Sequence, residues 1–368
     1  MRVRSFLIGV AFVYLIFSIL SVVYGSFGYR AIAALIGCSV LLYMTIKADT
    51  NGLRLRQMLV FVVLVIFTFS IFSFQSTEGR SLFAVLVFLG ALGICWFSIA
   101  SYSTFYLYEL PFYFILGGTL LLFLGFGYGP AEFNTFLSGY SRNGYSAILL
   151  AFAGGYIFSR VYRDKKISLL LLVLVFVSSF PLYGRSGIAM AFALVLAVLC
   201  HKSIKLAVLF GLCGAVGAIF SLDGVENYIY GATNFSSGIE SPRSEMLEQY
   251  ANALDVVGLF FGVDVGRVPI ILEYGKNPHN AFVLLHSYYG LAMFPLLCLF
   301  AVSLLKLFVG GQYMFLVVAL LFLIRAFFDI IYLFGLFDYL LFPLLFYAVF
   351  ANYFRSESYL VSSLEERL

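Results

Sequence analysis

FLIGVAFVYLIFSILSVVY, residues 6–24, contains no charged side chain and keeps no alternation between apolar and polar positions. A hydrocarbon layer about 30 Å thick is crossed by a helix of roughly 20 apolar residues, whereas a barrel strand alternates every second residue. The stretch therefore reads as a membrane helix, and the same pattern recurs along the chain. Further apolar windows fall near 31–46, 58–74, 81–100, 111–128, 145–159, 167–183, 187–200, 206–220, 281–305, 313–333 and 336–352. The expected fold is all-α: a polytopic membrane protein of about twelve transmembrane helices with one long polar loop of short helices.

Composition agrees. Of the 368 residues 63% are hydrophobic and only 11% charged, while a soluble chain carries about 25% charged residues. The net charge of +4 is no sign of nucleic-acid binding, because the cations are spread along the chain. Met-Arg-Val-Arg before residue 6 imitates a signal peptide. Its apolar part is too long for a signal core and has no small-residue cleavage site, so it is expected to stay as the first helix. Cys38, Cys95, Cys200, Cys213 and Cys298 lie within or at the end of apolar runs and read as small core residues.

Orientation follows from lysine and arginine. With the N-terminus inside, fourteen of the 22 cations fall in one set of connections and seven in the other, while Arg325 lies inside a span. The positive-inside rule then places both termini in the cytoplasm. The polar excursion 221–280, which holds Asp223, Glu226, Glu240, Glu245, Glu248, Asp255, Asp264 and Glu273 out of 18 carboxylates, is expected outside the cytoplasm as an inserted subdomain. Within it Ser241-Pro242 marks a helix start. Leu247, Tyr250, Ala251, Leu254 and Val257 continue at helical spacing, the pattern of an amphipathic helix lying on the membrane surface.

Several residues carry candidate chemistry, each beside a plain structural alternative. Arg185, in the tight turn Gly184-Arg185-Ser186-Gly187, is either a headgroup anchor or a bidentate phosphate clamp. Arg243 is a surface ion-pair partner of Glu240 or Glu245, or a second anion contact over the membrane mouth. His279, in Asn277-Pro278-His279-Asn280, is an interfacial residue or a proton acceptor for a sugar hydroxyl. His286 follows on roughly the same face, but no third ligand at a fixed spacing supports a metal site. Arg325 and Asp329 have ion-pair spacing in the eleventh span, where each charge costs at least ~2.5 kcal/mol. Asp338 is a candidate third member of that pair. No Walker loop, dinucleotide-binding glycine pattern or zinc-protease motif is present.

The order of these motifs resembles the O-antigen polymerase and ligase superfamily of bacterial inner membranes. The likeness rests on the Arg-Ser-Gly turn, the late outside loop, Arg243 at a loop helix, Gly262 to Gly266, and Pro278-His279-Asn280-Ala281-Phe282 before Tyr289-Gly290-Leu291. It covers Tyr140 to about Phe308 in motif detail. The chain departs from the family pattern after the histidine span and in the long aromatic segment 129–144. The resemblance implies transfer between undecaprenyl-pyrophosphate-linked oligosaccharides on the periplasmic face, with the lipid bilayer and a chain-length regulator protein as partners. Arg185 and Arg243 would hold the pyrophosphate and His279 would orient or deprotonate the attacking hydroxyl. Asn280, Arg267 and Arg325 would complete the pyrophosphate and sugar contacts. No cofactor is implied, and the first outside loop, residues 25–30, has no carboxylate to hold a metal. A ligase transferring finished polymer to lipid A core is the alternative within this chemistry. A lipid-sugar transporter gated by Arg325 and Asp329 is the alternative outside it.

Overall fold

A computed structural model describes residues 2–47, 64–65, 68–69, 80–138, 140–182, 184–203, 205 and 242–350. The expected spans 58–74 and 206–220, and the loop before residue 242, lie mostly or wholly outside the described residues. Among the described residues the chain is helical without β-strands, and six helices are long and apolar enough to cross a membrane: Arg4–Tyr24, Phe27–Ile46, Leu82–Ala100, Phe105–Gly125, Arg142–Tyr162 and Ala281–Val309. Large apolar side chains such as Phe6, Ile16, Leu35 and Phe114 stand exposed on them. Surfaces of that kind suit lipid. The chain is thus a helical membrane protein.

Packing between helices in lipid favours small residues that let backbones approach. The helices Phe27–Lys47 and Arg80–Ala100 meet in this way. A methyl group placed on Gly37 would stand 2.5 Å from the carbonyl of Gly90, and one on Gly90 would stand 2.8 Å from that of Ala34. Gly93 abuts Gly37 and Leu41 more tightly still. The helix Arg142–Tyr162 runs buried through the middle of the bundle, with Gly154 under Phe322 and Gly155 under Leu340.

Contacts between connections sort the chain into two ends. At one, Arg4 donates to the carbonyl of Tyr102, and Glu109 is bridged by Arg160 at 3.4 Å and Arg163 at 2.8 Å. At the other, the N–H of Ser138 donates to Val23, and Arg30 donates to the carbonyl of Phe334. These pairings join connections that the span alternation puts on the same side. The Glu109 carboxylate is fully buried and also accepts from the Ser159 hydroxyl, so two guanidinium groups and a hydroxyl satisfy a charge that burial alone would not tolerate.

Several spans differ from expectation. The segment 281–305 is divided: a helix Ala281–Tyr289, a 3-10 turn Gly290–Met293 and a helix Phe294–Val309. The expected eleventh span, 313–333, is helical only over Tyr313–Ala326. Asp329 therefore lies past the helix end, where its Oδ1 accepts the N–H of Ile330 and diverts the backbone into a turn. The expected twelfth span, 336–352, begins with the 3-10 turn Asp338–Leu340 and the short helix Phe342–Leu345. Asp338 does not join the Arg325 pair; its Oδ2 accepts from the N–H of Gly335.

The insert is built from short pieces. The amphipathic helix expected beyond Pro242 ends at Asn252, and Asp255 caps a second helix, Val256–Phe261, by accepting from the N–H of Gly258. Met246, Tyr250, Val263, Val265, Val268, Ile270 and Ile271 form a small core of their own, closed by Val283 from the first helix after the insert. His286 completes the junction. Its Nε2 lies 3.1 Å from the Leu259 carbonyl, which can only accept, so Nε2 carries the proton and Nδ1 accepts from the Tyr250 hydroxyl at 2.9 Å. Gly262 and Gly290, both at positive φ, let the insert backbone lie directly against residues 286–287 and 260–261. His286 is accordingly a latch with both nitrogens engaged.

Two changes probe this packing. Gly93→Val should overpack the helix pair by roughly 1–3 kcal/mol and lower the unfolding temperature of the detergent-solubilised protein by several degrees. Tyr250→Phe leaves the buried Nδ1 of His286 without its donor, at a cost of about 1–3 kcal/mol. Hydrogen exchange across residues 246–268 should quicken, while the Arg142–Tyr162 helix keeps its protection.

Candidate functional site

The segment Asn277-Pro278-His279-Asn280 is shaped by its two asparagines. Asn277 accepts the N–H of His279 through Oδ1 at 2.8 Å, an Asx turn, and Asn280 accepts the N–H groups of Phe282 and Val283 at 2.9 and 3.1 Å. Asn280 is thus the N-cap of the helix Ala281–Tyr289, filling donors that helix geometry leaves open. Its side-chain oxygen is engaged twice in this role, so the substrate contact expected of Asn280 would fall to its amide N–H groups. Between the two turns His279 is held at φ 50°, with its ring edge-on to Tyr274 at 6.1 Å.

Arg243 lies in the first turn of the helix Pro242–Asn252, half-buried, with its guanidinium 5.8 Å from the centre of the Phe328 ring. The negative face of the ring attracts a cation at that distance. Glu245, one of its expected ion-pair partners, instead accepts from Gln249. Burial first, and then the charge of Arg243, push the His279 pKa below its ordinary value, while Asp329 acts in the opposite sense. The dominant causes favour the neutral imidazole.

Behind this pair stands Arg325, 2% exposed. One of its nitrogens lies 3.3 Å from Asp329 and 3.0 Å from the carbonyl of Asn143, and another donates to the hydroxyl of Ser186. A single side chain thereby ties together the end of its own helix and the starts of the helices Arg142–Tyr162 and Arg185–Lys202. Two buried polar atoms here have no partner in the structure, Arg325 Nε and Asn143 Oδ1. Orphaned groups of this sort are rare and tend to mark functional places.

Arg185 opens its helix immediately after the N-cap Gly184, next to the Ser186 that Arg325 holds. The glycines around it have a packing cause. A methyl group on Gly184 would meet Asn143 Oδ1 at 2.5 Å, and one on Gly187 would overlap Ser146. They seat this helix against Arg142–Tyr162, so their presence does not require a ligand against the backbone.

Of the residues expected in a site, the structure brings His279, Arg243 and Arg325 with Asp329 into one chain of neighbours, and places the start of the Arg185 helix beside it. Arg267 stands exposed at the end of the 3-10 turn Val265–Arg267 and contributes no contact to this group. Asn143, Tyr274 and Phe328 carry no signal in the sequence. They are ordinary residues whose importance comes from distant partners. No group of three His, Cys, Asp or Glu side chains among the described residues is arranged to hold a metal ion. A fixed guanidinium, a neutral imidazole and a buried ion pair at one end of a helical bundle suit binding an anion beside a proton acceptor. No family model matches the chain, no curated protein is detectably similar to it, and no solved structure matches its fold.

Proposed function

We propose that the protein is a glycosyltransferase of the outer face of a bacterial inner membrane, a surface-polysaccharide polymerase of the O-antigen type. It joins repeat units carried on undecaprenyl pyrophosphate. The observation that carries this reading is the convergence of Arg243, His279, Asp329 and Arg325 beside the start of the Arg185 helix. The two-to-one bias of cations supports assigning that end to the periplasm and both termini to the cytoplasm.

In this scheme an acceptor sugar hydroxyl attacks the anomeric carbon of the donor. The bond from that carbon to the pyrophosphate oxygen breaks as the new glycosidic bond forms. The hydroxyl proton passes to the neutral His279, and the electron pair leaves with the pyrophosphate, whose growing charge Arg185 and Arg243 offset. Fixed cations aimed at a leaving group contribute most where charge develops, and losing one such donor costs about 10²–10³ in rate. Arg325 acts as a positioning residue through Ser186 and Asp329. Two guanidinium groups supply the neutralisation that a divalent ion supplies elsewhere, so the scheme calls for no metal.

Arg185→Ala, Arg243→Ala and His279→Ala should each lower polymer formation from lipid-linked repeat units in proteoliposomes by about 10²-fold or more at equal protein amount. Unchanged rates and chain lengths in all three would defeat the assignment. A deletion strain should carry single repeat units on its lipid core; lipid-linked polymer left uncapped would move the reading to a ligase.

The pH profile carries a sign. Because burial and Arg243 lower the His279 pKa, the base form persists below the ordinary imidazole value of ~6.5, and the acidic limb of kcat/KM should lie beneath it. Residual activity of Arg243→Gln, which loses the neighbouring cation, should show that limb moved upward. A limb that stays fixed or moves down would mean that another group titrates.

A further inference from the structure

Inside the polar insert, Val256-Val257-Gly258-Leu259-Phe260-Phe261-Gly262-Val263 carries no charge and is closed at either end by a carboxylate, Asp255 and Asp264. In the helix Val256–Phe261 the side chains of Val256, Val257, Leu259 and Phe260 are 45–75% exposed. An apolar patch of this density calls for a covering, either lipid or another protein.

The neighbours of the stretch give its depth. Gly290, at positive φ, lies directly against the backbone of Phe260 and Phe261, and Gly262 lies against that of His286 and Ser287. Tyr289 packs on Phe334 at 5.2 Å, and Phe334 stacks on Phe88 at 4.8 Å. Phe88 comes eight residues after Arg80, where its spanning helix begins. At 1.5 Å per residue that ring lies about 12 Å in from the charged helix end. The turn at 260–262, two ring contacts from that level, therefore reaches the depth at which interfacial helices bury their apolar face, about 5–10 Å into the headgroup and acyl boundary. Beyond Gly290 the span itself exposes Leu291 and Phe294, so lipid-facing surface begins where the turn ends.

Backbone at such depth must have its polar groups filled by the protein. The Leu259 carbonyl accepts from Nε2 of His286, the N–H of Gly258 donates to the Asp255 carboxylate, and the N–H groups of Leu259 and Gly262 donate to the carbonyls of Asp255 and Gly258. The His286 latch thus serves the part of the insert that needs it most. We propose that residues 256–263 form a re-entrant membrane anchor, with Val256, Val257, Leu259 and Phe260 seated among the acyl chains of the leaflet at the His279 end. The anchor shares its small core with the Pro242–Asn252 helix through Val263, Met246 and Tyr250, so lipid contact sets the height at which Arg243 is held. Nothing in this placement depends on the transfer reaction proposed above.

The test uses the full chain in nanodiscs that hold one copy each, with Trp96, the single native tryptophan, changed to Phe and a new tryptophan placed by Phe260→Trp. Phosphatidylcholine brominated on its acyl chains should quench this tryptophan at least twofold more than one placed by Glu248→Trp on the exposed side of the neighbouring helix, and aqueous iodide should show the opposite order. Bromine near the carbonyl end of the chain should quench more than bromine near its methyl end; the reverse order overturns the shallow placement. Equal access of iodide to both tryptophans, with no response to brominated lipid, overturns the anchor. If iodide reaches the Phe260→Trp position in single-copy discs but not in native membranes, the cover is a second copy or another protein, and the lipid assignment falls. Should Trp96→Phe impair folding, Trp96 stays as a common background and the difference between the two proteins is read. Should Phe260→Trp disturb the insert, Val257→Trp must give the same two orders, and failure there overturns the proposal.

Discussion

A guanidinium enclosed in an apolar bundle must have its charge balanced and its donors filled, and in this chain Arg325 meets that requirement with groups drawn from three separate segments. Asp329 supplies the countercharge, Asn143 a backbone carbonyl and Ser186 a hydroxyl. Removing one partner of a buried pair leaves an uncompensated charge, typically a loss of 3–5 kcal/mol. The demand therefore fixes more than itself. It holds the starts of the Arg142–Tyr162 and Arg185–Lys202 helices together, and it keeps the chain after Ala326 where Asp329 reaches the His279 loop.

The opposite end meets the reverse demand. There the enclosed charge is the Glu109 carboxylate, held by Arg160, Arg163 and Ser159. Both clusters sit where helix ends meet, but they differ in completeness. Glu109 is surrounded by two cations, a hydroxyl and the Tyr113 phenol, an arrangement that looks inward and stabilises. The Arg325 cluster retains unpartnered polar atoms, Arg325 Nε and Asn143 Oδ1. By that contrast one end reads as a structural clamp and the other as a place where something binds.

Hydropathy made the helical membrane character and most of the early spans legible, because a run such as 81–100 has no alternative reading. The breaks inside 281–305 and after Ala326 escaped it. A window average records apolar content, whereas these breaks come from Gly290 at positive φ and from Asp329 bonding its own neighbour. The site was legible in part. Proline at residue 242 does open a helix that carries Arg243, and the asparagines around His279 do form a turn and a cap. The glycines beside Arg185 are set by Asn143 and Ser146, which lie on another helix. His286 looked like a companion to His279 and is a latch to Tyr250, thirty-six positions away. Sequence spacing cannot disclose such pairings, since both members are ordinary until folding brings them together.

Backbone conformation gives an independent reason to place function at the His279 end of the bundle. Six non-glycine residues among those described adopt positive φ, and four of them, Lys276, His279, Leu333 and Phe334, lie in the segments 276–279 and 333–334 at that end. Each such residue costs about 1–3 kcal/mol and persists only where its surroundings over-determine it. Here the surroundings are identifiable: the Asn277 and Asn280 turns hold His279, Arg30 holds the Phe334 carbonyl, and Phe334 stacks on Phe88 at 4.8 Å. With the strain held in place, the His279 imidazole stays near Arg243, and little reorganisation is left to perform when a charged ligand arrives.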